Sequence, residues 1–277
     1  MAQPAWQRIP LIARSIISGL LVTFSGLLPW SILFGINVTV SPAIPWSIVV
    51  CGVYLFFWNR FVKGNELTIT TRSRSERYRS ITSNSVDTRV YIFGGLFSIG
   101  LLLLMMAAYR YFEIPIQELP IKNINPVVVA IYFGVASFVA GLCEEVGFRG
   151  YLQQPIEQKN GVVTAITIST LLFTVLHFNA AEAIRLTPFY VLGGINFGVM
   201  AWLGKSLRPS ILFHTITNFL SYLMLWLGAS LFTNPSLDSI FATMAVVGIL
   251  LVGFSAIQIY SVCKKGDFQM AKDNQAL

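Results

Sequence analysis

Five ionisable side chains lie inside apolar stretches of this chain. Glu144, Glu145 and Arg149 fall in CEEVGFR, and the only two histidines, His177 and His214, fall in LLFTVLHF and ILFHTITNF. A charged group at the centre of a bilayer costs about 2.5 to 3.5 kcal/mol on insertion scales. Such groups are therefore expected to pair with one another, to line a polar cavity, or to take part in chemistry.

Helical spacing separates the two glutamates. Glu145 and Arg149 are four residues apart and share a helix face, whereas Glu144 points about 140° away from Arg149. Arg149 can therefore neutralise Glu145 and leave Glu144 free to face a cavity, where a carboxylate suits a general base that takes a proton from water. The alternative is that both glutamates only form a buried ion pair with Arg149.

The two histidines each have a suitable neighbour one helical turn away. Phe173 can pack beneath the imidazole of His177, while His214 and Asn218 present an imidazole and an amide to the same point. Two such donors could stabilise a developing oxyanion. The simpler alternatives are a hydrogen-bonded core histidine at His177 and interhelical hydrogen bonds from His214 and Asn218.

The composition is that of a membrane protein. Of the 277 residues, 55% are hydrophobic and only 11% are charged, too little polar surface for a soluble globule. With about 20 apolar residues per span, the sequence predicts an all-α, polytopic membrane helix bundle of about eight transmembrane helices in a single domain, residues 1–277. The first apolar run shows no clear small-residue cleavage site and is expected to be a retained span. The predicted helices are 12–36, 43–60, 89–112, 126–157, 161–178, 187–204, 209–231 and 236–262.

The net charge of +7 reports membrane topology, and no nucleic-acid partner is expected. With eight spans, only three basic residues, Arg110, Lys122 and Arg185, fall on the side of the membrane opposite to the termini. Arg149 lies within a span. The positive-inside rule therefore places both termini in the cytoplasm, in an inner or plasma membrane. The other fifteen basic residues fall on the cytoplasmic side: Arg8, Arg14, Arg60, Lys63, Arg72, Arg74, Arg77, Arg79, Arg89, Lys159, Lys205, Arg208, Lys264, Lys265 and Lys272.

The fourth predicted helix is expected to continue through the glutamates without a strong breaker before Pro155, and to project into the cytoplasm. From Glu144 to the turn near Lys159 is about 22 Å, and from that turn to His177 about 27 Å, at 1.5 Å per residue. In an antiparallel hairpin, Glu144 and His177 would lie at similar depth. His214 approaches the same level only if the fourth helix extends beyond the membrane surface.

The three blocks EExxxR, FxxxH and HxxxN, in this order on successive apolar helices, resemble the CPBP family of intramembrane proteases. This family comprises the CAAX proteases and bacteriocin-processing (Abi) proteins and includes the type II CAAX prenyl endopeptidases. The resemblance covers about residues 124–231, the expected catalytic core. It implies that Glu144, assisted by His177, activates a water against a peptide carbonyl, and that His214 and Asn218 hold the oxyanion. Glu145 and Arg149 would support that geometry.

The resemblance also implies substrates and leaves the question of a metal open. The implied partners are a membrane-associated or lipid-modified protein or peptide at the membrane, and the lipid bilayer itself. Because the family is also catalogued among metalloproteases, Glu144, His177 and His214 could be zinc ligands. HExxH is absent, however, and Cys51, Cys143 and Cys263 form no CxxC. The metal-free mechanism is preferred, with no cofactor assigned and zinc as the alternative.

Two other functions fit part of the pattern. Intramembrane Glu and His also mark proton relays, which would suit a proton-coupled transporter, although no repeated broken helices are seen. A non-catalytic membrane scaffold could use the polar segment from Arg60 to Arg89 as a contact surface. The complete set of motif residues favours the protease.

Overall fold

The structure, a computed structural model, describes residues 5–63, 86–116, 124–178 and 183–275, with side chains up to Lys264. Within these ranges every regular element is a helix. The basic centre of the Arg60 to Arg89 segment and Lys122 lie outside the described residues, so their predicted positions stay predictions. The elements are α1 (Ala5–Arg8), α2 (Leu11–Val40), α3 (Trp46–Lys63), α4 (Thr88–Tyr111), α5 (Pro126–Glu145), a π-helix (Val146–Gln153), α6 (Gln154–Asn160), α7 (Val162–Leu176), α8 (Ala183–Gly204), α9 (Arg208–Trp226), α10 (Ala229–Thr233), a 3₁₀ turn (Pro235–Leu237) and α11 (Asp238–Gln275).

The predicted class, an all-α membrane bundle, is confirmed. By length and hydropathy alone, five helical stretches can cross a membrane, and two shorter helices are also apolar. Helix α9 is not among the five, because His214, Thr217 and Asn218 interrupt its apolar sequence. The five are Leu11–Val40, Thr88–Tyr111, Pro126–Asn160, Ile184–Gly204 and Pro235–Lys264, and the two shorter ones are Trp46–Val62 and Val162–Leu176.

Several helix boundaries differ from the prediction; the largest difference is in the last helix, expected over 236–262 and observed over Asp238–Gln275. The helix expected over 209–231 ends at Trp226, because Gly228 adopts a φ of +91°, a conformation that glycine adopts readily. The helix expected over 187–204 begins earlier, at Ala183. Pro188 lies inside this helix, and because proline has no N–H, one helical hydrogen bond is absent at this point.

The long helix through the glutamates is present but is not a uniform α-helix. The π-helix from Val146 to Gln153 separates α5 from α6, and Pro155 follows it in the first turn of α6. The missing N–H of a proline removes one helical hydrogen bond, and single π-turns inside α-helices occur often at functional sites. The whole stretch ends at Asn160, before Gly161 with its φ of +86°.

This α5, π and α6 stretch lies at the centre of the bundle. Helix α2 packs on the π-helix and α5, while α7 packs on the π-helix and α6. Helix α9 runs along α5. Helix α8 packs on α7, and α4 contacts both α8 and α9. The helices that carry the motif residues therefore surround a common interior, with α4 closing one side.

A close glycine contact holds α2 against the π-helix. A Cβ added at Gly147 would lie 2.7 Å from the carbonyl oxygen of Gly19 and 3.0 Å from the Cβ of Thr23. Small residues let membrane helices approach closely. We therefore expect Gly147→Ala to destabilise the protein by about 1 to 3 kcal/mol through overpacking, measured as a lower melting temperature in detergent.

The matched control for this substitution is Gly134→Ala in α5. A Cβ at Gly134 meets no atom within 4 Å, so that variant should melt like the wild type. Equal melting of the Gly147 and Gly134 variants would show that the α2 contact does not limit stability.

Candidate active site

Glu144 lies near the C-terminal end of α5 and meets both histidines. It is buried, at 8% exposure, and its Oε2 is 3.6 Å from Nε2 of His177 and 3.6 Å from Nε2 of His214. His177 caps the end of α7, and His214 is in the second turn of α9. The structure thus brings together three side chains that the sequence places on three separate helices.

The other ring nitrogen of each histidine is held by a hydrogen bond. Nδ1 of His177 lies 2.8 Å from the carbonyl oxygen of Phe173, which can only accept, so this nitrogen carries the proton. A neutral His177 therefore presents the lone pair of Nε2 towards Glu144. Nδ1 of His214 lies 2.9 Å from Oε1 of Glu145, and an ionised carboxylate likewise only accepts. Both imidazoles are thus oriented with Nε2 towards Glu144.

The predicted pair of Glu145 with Arg149 is present in the interior. Nη1 of Arg149 is 3.1 Å from Oε1 of Glu145, and both side chains are fully buried. Nη2 of Arg149 also donates to the carbonyl oxygen of Gly194 on α8, at 3.1 Å. The guanidinium lies 4.9 Å from the ring centroid of Phe173, within cation–π range. Arg149 therefore links the glutamate pair to α7 and α8.

The contact of Glu145 with His214 was not predicted. The two residues are 69 positions apart and lie on different helices, so no spacing within one helix indicates it. Sequence analysis grouped His214 with Asn218 alone. In the structure Glu145 contacts both Arg149 and His214, and so connects the first motif to the third.

Aromatic rings position both imidazoles. Phe173 packs on His177 with ring centroids 4.2 Å apart, as the spacing predicted, and Tyr190 also contacts His177, with ring centroids 5.0 Å apart. Phe197 stacks on His214 at 4.7 Å with an interplanar angle of 12°. Sequence analysis missed Tyr190 and Phe197. Their separation of seven residues, which places both on one face of α8, was the available signal.

Glu144, His177 and His214 face a cavity of about 220 Å³ between α4, α8 and α9. Asn218 lines this cavity one turn beyond His214. The α4 wall is largely apolar, whereas the α9 wall carries polar side chains. The cavity is lined by Ser98, Leu101, Leu102, Met105, Tyr109, Glu144, Phe173, His177, Phe189, Tyr190, Gly193, Asn196, Phe197, His214, Thr217, Asn218, Ser221, Tyr222 and Leu225.

Zinc is the alternative that the side chains of this site raise. Glu144, His177 and His214 are ligand types that zinc accepts. In the part of the chain that the structure describes, however, no group of three or more His, Cys, Asp or Glu side chains is arranged to hold a metal ion.

The part of the chain that carries the candidate site is similar to a known protein family. Residues 126–220 match the family model of the type II CAAX prenyl endopeptidases, Rce1-like. Over this segment the chain is similar to the CAAX protease family. It lies within the predicted core of residues 124–231 and contains all six predicted site residues. No curated protein and no solved structure matches the chain.

The match to the CAAX protease family supports an endopeptidase activity in general. Part of the cavity wall lies outside the matched segment. A CAAX-type intramembrane endopeptidase acting on a peptide or protein substrate is the function that the family supports, and with the apolar helices it supports an integral membrane protein. The matched segment covers 95 of the 277 residues. Helix α4, which supplies Leu101, Leu102 and Met105 to the cavity, lies before this segment.

Proposed function

We propose that this protein is an intramembrane endopeptidase in which Glu144 activates a water to hydrolyse a peptide bond. The observation that carries the proposal is the convergence of Oε2 of Glu144 with Nε2 of His177 and of His214, each at 3.6 Å, on one cavity. Oε2 of Glu144 accepts no hydrogen bond from any residue that the structure describes. It is therefore available to a water or a substrate group.

The first step of the proposed reaction uses Glu144 and His177. A water oriented by Glu144 and by the Nε2 lone pair of His177 transfers a proton to the carboxylate, while its oxygen attacks the peptide carbonyl carbon. The carbonyl oxygen becomes the oxyanion of a tetrahedral intermediate. When the carbon–nitrogen bond breaks, Glu144 returns the proton to the leaving amine. Because Phe173 accepts from Nδ1 of His177, the ring keeps the required orientation.

His214 and Asn218 are proposed to hold the oxyanion. Donation from Nε2 of His214 requires a proton on that nitrogen in addition to the one on Nδ1. The carboxylate of Glu145, 2.9 Å from Nδ1, orients the ring so that Nε2 faces the cavity. Arg149 fixes Glu145 in turn. The amide of Asn218, one turn along α9, would supply the second donor.

The cavity favours a substrate with an apolar group beside the scissile bond. Leu101, Leu102 and Met105 form its wall on α4, and apolar walls with few polar groups are typical of sites for apolar ligands. We propose a membrane-associated or lipid-modified peptide or protein, including a prenylated carboxyl terminus of the Cys-aliphatic-aliphatic-X type.

The proposed topology keeps both termini in the cytoplasm of an inner or plasma membrane. A Cβ at Gly204, near the end of α8, would contact Val86 and Val90 at the start of α4. The basic residues Arg89, Lys205 and Arg208 are therefore close to the same end of the bundle, in agreement with the positive-inside rule.

The test compares the protein termini in membranes that carry the wild type with those in membranes that carry Glu144→Gln, by mass spectrometry. We expect new termini that appear only with the wild-type protein, and their sequences identify the substrate class. A scaffold or a proton-coupled transporter predicts no Glu144-dependent terminus. Identical termini in the two membranes, at equal expression, would count against the protease.

A further inference from the structure

Asn196 is a buried polar side chain that the Glu144 chemistry does not use. It is 3% exposed, lies on α8 and lines the cavity. Its neighbour in the chain, Phe197, stacks on His214. Asn196 therefore lies beside the site while belonging to none of its three sequence motifs.

The orientation of the Asn196 amide is determined by its donors. Nδ2 donates to the carbonyl oxygen of Gly94 at 3.1 Å and to Oγ of Ser98 at 2.9 Å, both on α4. A carbonyl oxygen can only accept, so the NH₂ group and not the oxygen must face α4. Oγ of Ser98 in turn donates to Gly94 at 2.9 Å. All donors of this small network are used.

The amide oxygen of Asn196 is different. Oδ1 is buried and accepts no hydrogen bond from any residue that the structure describes. The tie between α8 and α4 needs only the NH₂ group, and a buried acceptor without a donor is unfavourable. A hydrogen-bond donor on a bound ligand would remove the free-energy cost of this unpaired acceptor. A peptide in the cavity offers such donors at its backbone N–H groups.

We propose that Oδ1 of Asn196 accepts a hydrogen bond from a backbone N–H of the substrate close to the scissile bond. This inference rests on the proposed endopeptidase function and adds a substrate-positioning residue to it. Asn196 then performs two tasks, because its NH₂ group ties α8 to α4 while its oxygen fixes the substrate against Glu144.

The experiment uses a pool of internally quenched peptides, unmodified and S-farnesylated, from which one that the wild type cleaves and Glu144→Gln does not is chosen. In a series of analogues, each backbone N–H except that of the scissile bond is replaced by an ester oxygen. We expect one ester to lower kcat/KM of the wild type by about ten- to a hundredfold, mainly through KM. Asn196→Leu should show a similar loss with the parent peptide and no further loss with that ester.

The control variant is Ser98→Ala, which weakens the tie to α4 and leaves Oδ1 in place. It should lower the melting temperature as Asn196→Leu does, but keep the full sensitivity to the ester. If Asn196→Leu does not fold, Asn196→Ala takes its place in the series. Full ester sensitivity in the Asn196 variant, or no ester sensitivity in the wild type, would overturn the role of Asn196 alone. Absence of Glu144-dependent cleavage throughout the pool would overturn it together with the proposed activity.

Discussion

Glu144→Gln is expected to lower the rate of peptide hydrolysis by about 10²- to 10⁴-fold, because glutamine keeps the shape of the side chain but cannot take a proton from water. Stability should change little. Oε2 of Glu144 accepts no hydrogen bond from another described residue, and its two contacts to Nε2 atoms are 3.6 Å long. The measurement is kcat on a cleaved peptide together with the melting temperature in detergent.

Glu145→Gln is the matched control one residue further along. Glu145 carries the negative charge beside Arg149 and accepts from Nδ1 of His214. Its neutralisation should therefore lower both the activity and the melting temperature, whereas Glu144→Gln lowers only the activity. An active Glu144→Gln protein would exclude Glu144 as the base.

Arg149→Ala is expected to cost about 3 to 5 kcal/mol of stability, since it leaves the buried carboxylate of Glu145 without its cation. The variant also loses the hydrogen bond to Gly194 and the contact with the ring of Phe173. Activity should fall as well, because Glu145 orients His214. Thermal melting of the purified protein and peptide hydrolysis are the two measurements.

Arg110→Ala provides the comparison at a partly exposed arginine, whose side chain is 20% exposed. Arg110 pairs with Asp238 and donates to the carbonyl oxygen of Phe232, but the side chain of Asp238 is 53% exposed. Exposed ion pairs contribute about 0 to 1 kcal/mol, so this variant should melt close to the wild type. Unchanged melting of Arg149→Ala would contradict the structural role of the buried pair.

A double replacement separates charge from packing. In Glu145→Gln combined with Arg149→Met, neither member of the buried pair is left as an unpaired charge, so part of the stability lost in Arg149→Ala should return. Activity should not return, because the charge beside His214 is still absent. Recovery of activity together with stability would show that hydrolysis does not need the charge of Glu145 beside His214.

Local spacing was sufficient for the contacts made within one helix. The pairing of Glu145 with Arg149 and the packing of Phe173 on His177 both join residues four positions apart, and both are present. The helical class followed from the apolar composition. These features depend on helical periodicity and on the cost of polar groups in a bilayer, which the sequence shows directly.

For contacts between helices, the sequence predicted only the depth of each side chain in the membrane and not its contact partner. The lengths from the turn near Lys159 predicted that Glu144 and His177 would lie at similar depth, and their side chains are 3.6 Å apart. They did not predict that His214 would bind Glu145, or that Phe197 would stack on His214. Rotation of a helix about its axis decides such contacts, and it follows from packing against all neighbouring helices at once.

The sequence by itself determined that the chain is a helical membrane protein with six chemically suited residues on three helices. It did so because hydrophobic length and four-residue spacing are local properties. The tertiary structure alone decided that both Nε2 atoms face Glu144, that Glu145 links Arg149 to His214, and that α4 closes the cavity beside Asn196. These arrangements arise where helices far apart in sequence pack together, and there hydrogen-bond partners and ring contacts select one orientation for each side chain.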